Sequence, residues 1–333
     1  MDPAMIGVGS AGRRSGRRAL AVIAALSVIL PLAACSGDGE TETGGGAAEG
    51  RLDRPIRLAI NPWVGYHASA AVVKYLLEHE LGYKVETREL TEPESWKGFE
   101  DGSVDIIIEN WGREAEKKEY IERKKLAVNA GVNGNIGVIG WYVPQWMAEK
   151  YPDITDWRNL NKYASLFRTA KSGDKGQLLD GDPTYVTNDE ALVRNLKLDY
   201  KVVYGGSENA LIAAAKRATR NKTPLLMYFY EPQWLFTQLK LVKVNLPPYA
   251  IGCDADPKKV ACDYPPYLLD KIVSKEFAEK GGKAYELVRN FQWTNDDQNQ
   301  VANDIVNNGL KPEQAAKKWV DANKIVWQDW IPR

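Results

Sequence analysis

The sequence predicts an α/β protein of two units, each of about a hundred residues, and three observations support this class. Short apolar runs alternate with amphipathic segments, which is typical of strands alternating with helices. At 333 residues, the chain is too long for a single small domain with one core. After Pro247 and Pro248 the pattern becomes helical. We therefore expect a mostly parallel sheet in two parts, with a terminal helix cluster packed on the first part.

The elements of the first half follow from periodicity and from turn residues. Apolar residues at helical spacing between 67 and 81 predict a helix that Gly82 ends. The short apolar run at 104–108, interrupted only by Asp105, is typical of a strand covered on both faces. The remaining predictions are strands at 56–60, 84–90 and 138–143, a charged helix at 114–125 and a helix that starts at Pro144.

In the second half the same alternation continues before the terminal helices. Strands are predicted at residues 166–169, 202–204 and 225–230, and helices at residues 189–196 and 208–219. The terminal helices are predicted at residues 267–280, 284–291, 298–308 and 312–323. The cleft between two such units is a natural place for a ligand.

The N-terminal segment has the composition of an export signal. Four arginines precede an apolar run at residues 20–30, which is too short to span a bilayer. Leu32-Ala33-Ala34-Cys35 follows and resembles a bacterial lipobox, in which the cysteine is lipidated. We predict a lipoprotein signal peptide at residues 1–34 and a lipidated Cys35 with a flexible tether over residues 35–53, which anchors the chain to the outer face of the cell membrane. An ordinary cleaved signal with a chance cysteine is the alternative.

Two further cysteines, Cys253 and Cys262, lie in the segment CDADPKKVAC. Because an exported protein lives in a compartment that permits disulfides, we expect the two to pair. A loop this short gains roughly 2–3 kcal/mol at most from chain entropy.

The composition argues against several function classes. Lys and Arg total 44 and Asp and Glu total 44, so the chain lacks the basic excess of a nucleic-acid-binding protein. Two histidines and three cysteines leave little material for a metal site or a His-based catalytic apparatus. No nucleophile elbow, phosphate loop, zinc-protease motif or dinucleotide fingerprint occurs in the sequence. We predict neither an enzyme nor a bound cofactor.

Aromatic residues with a polar edge are abundant, with 11 Trp and 16 Tyr against 6 Phe. Trp63, Trp111 and Trp146 follow predicted strands, and Tyr230 and Trp234 flank the end of another. Ligands of parallel α/β sheets bind beyond the carboxyl ends of the strands. We therefore expect these rings to converge on one cleft, although each ring taken alone is explained better by packing than by a ligand contact.

Taken in order, these residues resemble the substrate-binding proteins of ABC importers for quaternary ammonium compounds, the glycine betaine/choline-binding family. The resemblance covers nearly all of residues 54–330, behind the lipobox. Its markers are Trp63 ahead of a long amphipathic segment, DIIIENW ending at Trp111, Pro144-Gln145-Trp146, Tyr230-Glu231-Pro232 and Tyr264-Pro265-Pro266.

The resemblance implies a two-lobed periplasmic-binding-protein fold of type II, with a ligand cleft between the lobes. Lobe one would comprise residues 54–138 and 243–333, and lobe two residues 139–242, with hinge crossings near 137–140 and 241–246. It also implies a box of aromatic faces around a trimethylammonium head. The matching positions are Trp63, Trp111, Trp146 and Tyr230, with Trp234 in reserve.

For the rest of the ligand, Gly65, Tyr66 and His67 lie just before the predicted helix, where free backbone N–H groups favour a carboxylate. This arrangement suits a betaine better than choline. Two departures from the family pattern leave the ligand open. Gly65 stands where choline-binding members often carry a carboxylate, and Gln233 stands where several betaine binders have histidine.

Three acidic residues are candidates for additional polar contacts with the ligand: Glu109, Asp182 and Glu231. A surface or hinge position is the alternative for each.

The leading hypothesis is a monomeric binding protein that captures glycine betaine, proline betaine, choline or carnitine for a permease and an ATPase, which are separate chains. A protein of the same fold that binds an amino acid or an organic anion is an alternative, and it would need an arginine clamp. An exported hydrolase with paired carboxylates is a weaker alternative. Four arginines are available for a clamp, none of them strongly placed: Arg113, Arg158, Arg168 and Arg194.

Overall fold

The computed structural model describes residues 52–333. The predicted signal peptide, Cys35 and the tether up to residue 51 lie outside the described residues. Between residues 52 and 333, no helix is long and apolar enough to cross a membrane.

One open sheet of nine strands runs through the described residues. The strands are β1 (Ile56–Ile60), β2 (Val85–Glu89), β3 (Ile106–Asn110), β4 (Ala127–Pro144), β5 (Gly176–Asp180), β6 (Tyr200–Tyr204), β7 (Met227–Glu231), β8 (Leu241–Lys243) and β9 (Tyr267–Ser274). Their order is β2-β1-β3-β9-β4-β7-β5-β6, and β8 pairs with the end of β4. The predicted α/β class is confirmed. The sheet is mixed, however, because β9, β4 and β7 pair antiparallel in its middle.

Helices connect the strands and end the chain. They are α1 (Val64–His79), α2 (Glu92–Lys97), α3 (Glu114–Lys117), α4 (Gln145–Lys150), α5 (Leu160–Tyr163), α6 (Asp189–Asn195), α7 (Glu208–Asn221), α8 (Lys275–Lys280), α9 (Gly282–Asn290), α10 (Asn295–Val306), α11 (Pro312–Ala322) and α12 (Lys324–Trp327). A π-helix (Lys118–Arg123) continues α3, and 3-10 helices lie at Pro152–Thr155, Trp157–Asn159, Ala164–Phe167, Trp234–Thr237 and Gln328–Trp330. The terminal helices α10 and α11 pack against α1, which itself packs on β1 and β3.

Burial explains how the first part of the sheet positions its strand ends. All five residues of β3 are buried, which the apolar run predicts for Ile106, Ile107 and Ile108 but not for Glu109 and Asn110. Strand β2 carries the charged sequence VETRE and only Val85 of it is buried, which suits an exposed sheet edge. The chain leaves the buried strands β1 and β3 directly before Trp63 and Trp111.

Strand β4 joins the two parts of the sheet. Up to Gly137 it pairs with β9, and from Val138 it pairs with β7. Register shifts interrupt the β9 pairing near Gly131 and Gly134, whose φ angles of 91° and 93° favour glycine. These interruptions break the alternation of side chains, which is why the sequence predicts a strand only at 138–143.

Two sequence predictions are wrong in the second half of the chain. The predicted helix at 267–280 is strand β9 followed by the short helix α8, because a short apolar run cannot be assigned by periodicity alone. The predicted strand at 166–169 overlaps the 3-10 helix Ala164–Phe167. The strand of this region is β5, whose sequence GQLLD carries too few apolar residues to predict it.

Cys253 and Cys262 form a disulfide in the segment between β8 and β9, as the sequence predicts. Replacing both by serine is expected to lower the free energy of unfolding by about 2–3 kcal/mol, because the unfolded chain regains the entropy of an open loop. Urea unfolding monitored by circular dichroism measures the change, and a reducing agent should shift only the wild-type midpoint. Equal midpoints for the two proteins without reductant would contradict a stabilising role for this bond.

Candidate functional site

A small cavity lies where strand ends from both parts of the sheet meet. Trp63 and Trp111 reach it from the ends of β1 and β3, Tyr185 from the segment after β5, and Tyr230 from β7. Its empty volume, including the opening to solvent, is about 260 Å³. The lining residues are Trp63, Glu92, Trp111, Ile139, Tyr185, Val186, Tyr228 and Tyr230.

Trp63, Trp111, Tyr185 and Tyr230 form what we call the four-ring cluster. The ring centroids of Trp63 and Tyr185 lie 5.8 Å apart at an interplanar angle of 84°. Tyr185 and Tyr230 lie 6.4 Å apart at 90°, and Tyr230 and Trp111 lie 5.5 Å apart at 76°. Successive rings are therefore close to perpendicular, an edge-to-face arrangement that surrounds a space with aromatic groups instead of stacking them.

Glu109 holds the two indoles of the four-ring cluster. This β3 residue is fully buried, and its Oε1 accepts hydrogen bonds from Nε1 of Trp63 and Nε1 of Trp111, both at 2.9 Å. Its Oε2 accepts hydrogen bonds from Ser69 Oγ at 3.0 Å and from Gln298 Nε2 at 2.9 Å. One carboxylate thus fixes the positions of two rings that belong to different loops.

The surroundings of Glu109 suit an ionised carboxylate. Burial raises the pKa of Glu109, and the four donated hydrogen bonds oppose that rise. Two indole N–H groups and an amide can only donate to it, which favours a carboxylate over a carboxylic acid. The single hydrogen of the Ser69 hydroxyl is shared between Glu109 and the carbonyl of Gly65. The negative charge then lies at the N–H edges of both indoles, where it strengthens the attraction of a cation to the ring faces.

A second buried carboxylate, Glu208, lies behind Tyr230. Its Oε1 accepts hydrogen bonds from the Tyr230 hydroxyl at 2.7 Å and from Gln233 Nε2 at 2.5 Å. Its Oε2 accepts the backbone N–H of Val64, the first residue of α1, at 3.0 Å. Burial raises the pKa of Glu208 to about 6, and the nearby charge of Glu109 contributes to the rise.

A third carboxylate, Glu92, lines the cavity and is paired with an arginine. Its Oε2 lies 2.5 Å from Nη2 of Arg113, which also donates to the carbonyl oxygen of Thr184. Burial raises the pKa of Glu92, and the charge of Arg113 opposes the rise. The guanidinium is therefore already engaged by the protein next to the cavity.

The cavity tyrosines donate their hydroxyl hydrogens to protein acceptors. The acceptors are the carbonyl of Pro62 for Tyr185 (3.1 Å), the carbonyl of Val186 for Tyr228 (3.1 Å) and Glu208 for Tyr230. These tyrosines offer a ligand their ring faces rather than hydroxyl donors.

Gly137 allows Trp111 to lie close to β4. A Cβ atom at Gly137 would lie 2.6 Å from Cζ3 of the Trp111 ring, which is closer than real Cβ contacts permit. Any larger residue would displace the indole or the strand, so glycine is needed here to place one ring of the cluster.

Of the aromatic residues predicted to form the site, the structure brings Trp63, Trp111 and Tyr230 together at the cavity. Trp146 and Trp234 do not line it. Trp146 lies in α4, which turns away after Pro144, and its Nε1 donates to the carbonyl of Ala218 at 3.2 Å. Trp234 is fully buried in a 3-10 helix.

The residues predicted to hold a ligand carboxylate also lie apart from the cavity lining. A Cβ on Gly65 would meet Nε2 of Gln298 at 2.3 Å, so this glycine serves close packing of α1 on α10. Tyr66 is fully buried, and its hydroxyl accepts the N–H of Ile108 at 3.0 Å. His67 lies beside Glu89, with 3.9 Å between Nε2 and Oε2.

The three acidic candidates have separate positions. Glu109 contacts two cavity rings from behind. Asp182 accepts hydrogen bonds from the N–H and the hydroxyl of Thr184, within the segment that carries Tyr185. Glu231 is exposed at the end of β7.

Sequence reasoning missed Tyr185, Tyr228, Glu92 and Glu208. Tyr228 could have been found, because it is two residues from Tyr230 in a strand and so shares its face. Tyr185 follows β5, a strand that the sequence does not predict. Glu92 and Glu208 each begin a helix, where an acidic residue has an ordinary explanation in the helix dipole.

The part of the chain that the structure describes contains no group of three or more His, Cys, Asp or Glu side chains that could hold a metal ion. Aromatic faces line the cavity, and buried carboxylates lie among and behind them.

Two curated relatives are similar in sequence. The chain is 28% identical over 294 residues to the trimethylamine N-oxide-binding protein of Pelagibacter ubique, a match that covers 82% of this chain and 90% of that protein. It is 31% identical over 130 residues to the glycine betaine/carnitine transport binding protein GbuC of Listeria monocytogenes. That second match covers 38% of this chain and only 39% of the Listeria protein.

Solved structures share the fold at low sequence identity. A lactococcal OpuAC complexed with glycine betaine has a TM-score of 0.67 at 22% identity, with 84% of this chain and 100% of that chain covered. A choline-binding protein of an ABC transporter, in complex with choline, has a TM-score of 0.67 at 19% identity and covers 83% and 91% of the two chains. ProX of Borrelia burgdorferi has a TM-score of 0.69 at 19% identity, with 84% and 97% covered.

The likeness to these structures confirms the predicted periplasmic-binding-protein fold. The family model for the substrate-binding domain of ABC-type glycine betaine transport systems matches residues 54–322. The chain therefore belongs to this family of extracytoplasmic binding proteins.

Proposed function

We propose that this chain is the solute-binding protein of an ABC importer and captures a small quaternary ammonium compound within the four-ring cluster. The near-perpendicular arrangement of Trp63, Trp111, Tyr185 and Tyr230 around one cavity is the observation that carries this proposal. It acts by binding alone and carries out no reaction. Glycine betaine, proline betaine, choline and carnitine are the candidate ligands.

The physical basis is the chemistry of a fully methylated nitrogen. Such a nitrogen has no N–H to donate, its charge is diffuse and its surface is apolar. An aromatic face offers negative potential and apolar contact together, at about 0.5–2 kcal/mol for each face. Four faces supply roughly 2–8 kcal/mol, whereas a micromolar site needs about 8 kcal/mol. The remainder has to come from the other end of the ligand and from exclusion of water.

The charges around the cavity also favour a cationic group. Glu109 lies behind two rings, Glu208 behind a third, and Glu92 lines the cavity. In a buried site the charges of Glu109 and Glu208 are weakly screened, so they attract positive charge more strongly than surface groups would, whereas Arg113 balances the charge of Glu92.

The alternative of an amino acid or organic anion as ligand has less support. A carboxylate ligand normally requires a free arginine or an equivalent set of donors. Arg113, the arginine beside the cavity, is already bound to Glu92 and to the Thr184 carbonyl.

The two lobes are proposed to be residues 54–138 with 243–333, and residues 139–242. The change of β4 from β9 to β7 between Gly137 and Val138 supports the first crossing. Strand β8 lies at the second crossing. With this division, Trp63, Glu92 and Trp111 belong to lobe one, and the other cavity residues belong to lobe two.

The proposed protein works as a monomer with a permease and an ATPase on separate chains, and a lipid on Cys35 holds it at the outer face of the membrane. The family supports the transporter partners. The Leu32-Ala33-Ala34-Cys35 sequence supports the anchor.

Trp111→Ala is expected to weaken binding of choline and glycine betaine about tenfold or more, because it removes one ring face and one donor to Glu109. Trp146→Ala is the matched control, since that indole lies outside the cavity, and its affinities should equal those of the wild type. Calorimetric titration of each purified variant measures both. A loss in the Trp146 variant with none in the Trp111 variant would refute the four-ring cluster.

Glu109→Gln removes the charge shared by the two indoles and puts amide hydrogens near their N–H groups. We expect about a tenfold weaker affinity for choline, together with a changed tryptophan emission spectrum. Glu86→Gln, which makes the same change on the exposed strand β2, should leave both unchanged. Wild-type affinity in the Glu109 variant would exclude its proposed role in holding the rings.

Cys35→Ala is expected to release the protein from the membrane fraction of a bacterial host and to abolish labelling by a fatty acid analogue. Replacing Cys253 and Cys262 should leave that labelling intact. Continued labelling of the Cys35 variant would show that the lipid is attached at another residue and would contradict the anchor at Cys35.

A further inference from the structure

We propose that Glu208 sets the ligand class of this site: it supplies an internal carboxylate between α1 and the four-ring cluster, so the ligand is a quaternary ammonium cation that carries no carboxylate. This inference rests on the proposed function and narrows its ligand from the general class to a net cation.

At the N-terminus of α1, a carboxylate of the protein already occupies an N–H group that a ligand could use. The first N–H groups of a helix lack partners within the helix and attract negative charge. Trp63, the residue that precedes α1, makes no side-chain cap. The sequence assigns a ligand carboxylate to the N–H groups of Gly65, Tyr66 and His67, which directly follow Val64. In the structure, Oε2 of Glu208 already accepts the N–H of Val64 at 3.0 Å.

Glu208 is also attached to the four-ring cluster, through the hydroxyl of Tyr230. Its other oxygen accepts the hydroxyl of Tyr230 at 2.7 Å, and Gln233 donates to the same oxygen at 2.5 Å. Three donors therefore hold this side chain, which is 5% exposed, between the residue after Trp63 and the ring of Tyr230. A carboxylate ligand would have to displace it to reach the N–H of Val64.

The charges and the hydrogen-bond donors around the cavity also disfavour a ligand carboxylate. Glu109 and Glu92 add two more carboxylates around the same cavity, and Arg113 is paired with Glu92. The hydroxyls of Tyr185, Tyr228 and Tyr230 are already donated. Among the lining side chains, a ligand carboxylate would meet like charge without a free partner, and such contacts are costly at low dielectric.

A hydroxyl group fits these surroundings better than a carboxylate. An alcohol can donate its hydrogen to a carboxylate oxygen, and a positive ligand is attracted by Glu109 and Glu208, whereas Arg113 balances the charge of Glu92. Choline and glycine betaine form a matched pair of probes, because both carry a trimethylated nitrogen and differ in a hydroxyl or a carboxylate at the other end.

The test is calorimetric titration of the purified protein with choline and with glycine betaine at neutral pH. We expect choline to bind at least about tenfold more tightly than glycine betaine, because choline lacks the carboxylate that would lie close to like charge in a buried site. In Glu208→Gln, choline affinity should fall and the preference should shrink by about tenfold or more. Glu149→Gln, which removes a charge from an exposed position in α4, should keep the wild-type preference.

The outcomes separate this inference from the proposed function. Glycine betaine binding as tightly as choline, or more tightly, would overturn the role of Glu208 while the quaternary ammonium function stands. An unchanged preference in a folded Glu208→Gln variant would overturn it as well. If neither ligand binds the wild type, the proposed function itself fails. The wild-type comparison decides the matter even if the Glu208 variant does not fold.

Discussion

A single carboxylate oxygen accepts the N–H groups of both indoles that border the cavity, and the site depends on that shared contact. Trp63 and Trp111 follow different strands, and the shared hydrogen bonds to Glu109 connect the two rings. Glu109 does so from the buried strand β3, where four donors compensate its desolvation. The charge that orients the rings is also the charge that makes their faces attractive to a cation.

Contacts across the cavity then tie its two sides together. Glu208 begins α7 and reaches the N–H of Val64, and Tyr185 donates to the carbonyl of Pro62. Each contact joins the segment around Trp63 to residues from the other part of the sheet. Residues that line or support the cavity are therefore also the residues that hold its two sides together.

The sequence predicts the parts of the site that follow strong strand signals. Trp63 and Trp111 stand after the mostly apolar segments IRLAI and VDIII, so their place near strand ends can be inferred without a structure. Trp146 follows an equally clear strand, but the direction of α4 after Pro144 depends on tertiary packing that periodicity does not contain. Tyr185 is hidden because its strand is short and polar. Trp111 is only two residues from Glu109, but Trp63, Ser69 and Gln298 lie 46, 40 and 189 residues away, too far for a local pattern to connect them.

The contact between Gly137 and the Trp111 ring has a consequence for spectroscopy. Gly137 is the last β4 residue that pairs with β9, and the indole rests against it. Bending of β4 at Gly137 would move the Trp111 indole even when no ligand is bound. Intrinsic emission from Trp111 therefore reports two quantities at once, backbone angle and occupancy, and a dye placed far from β4 is needed to tell them apart.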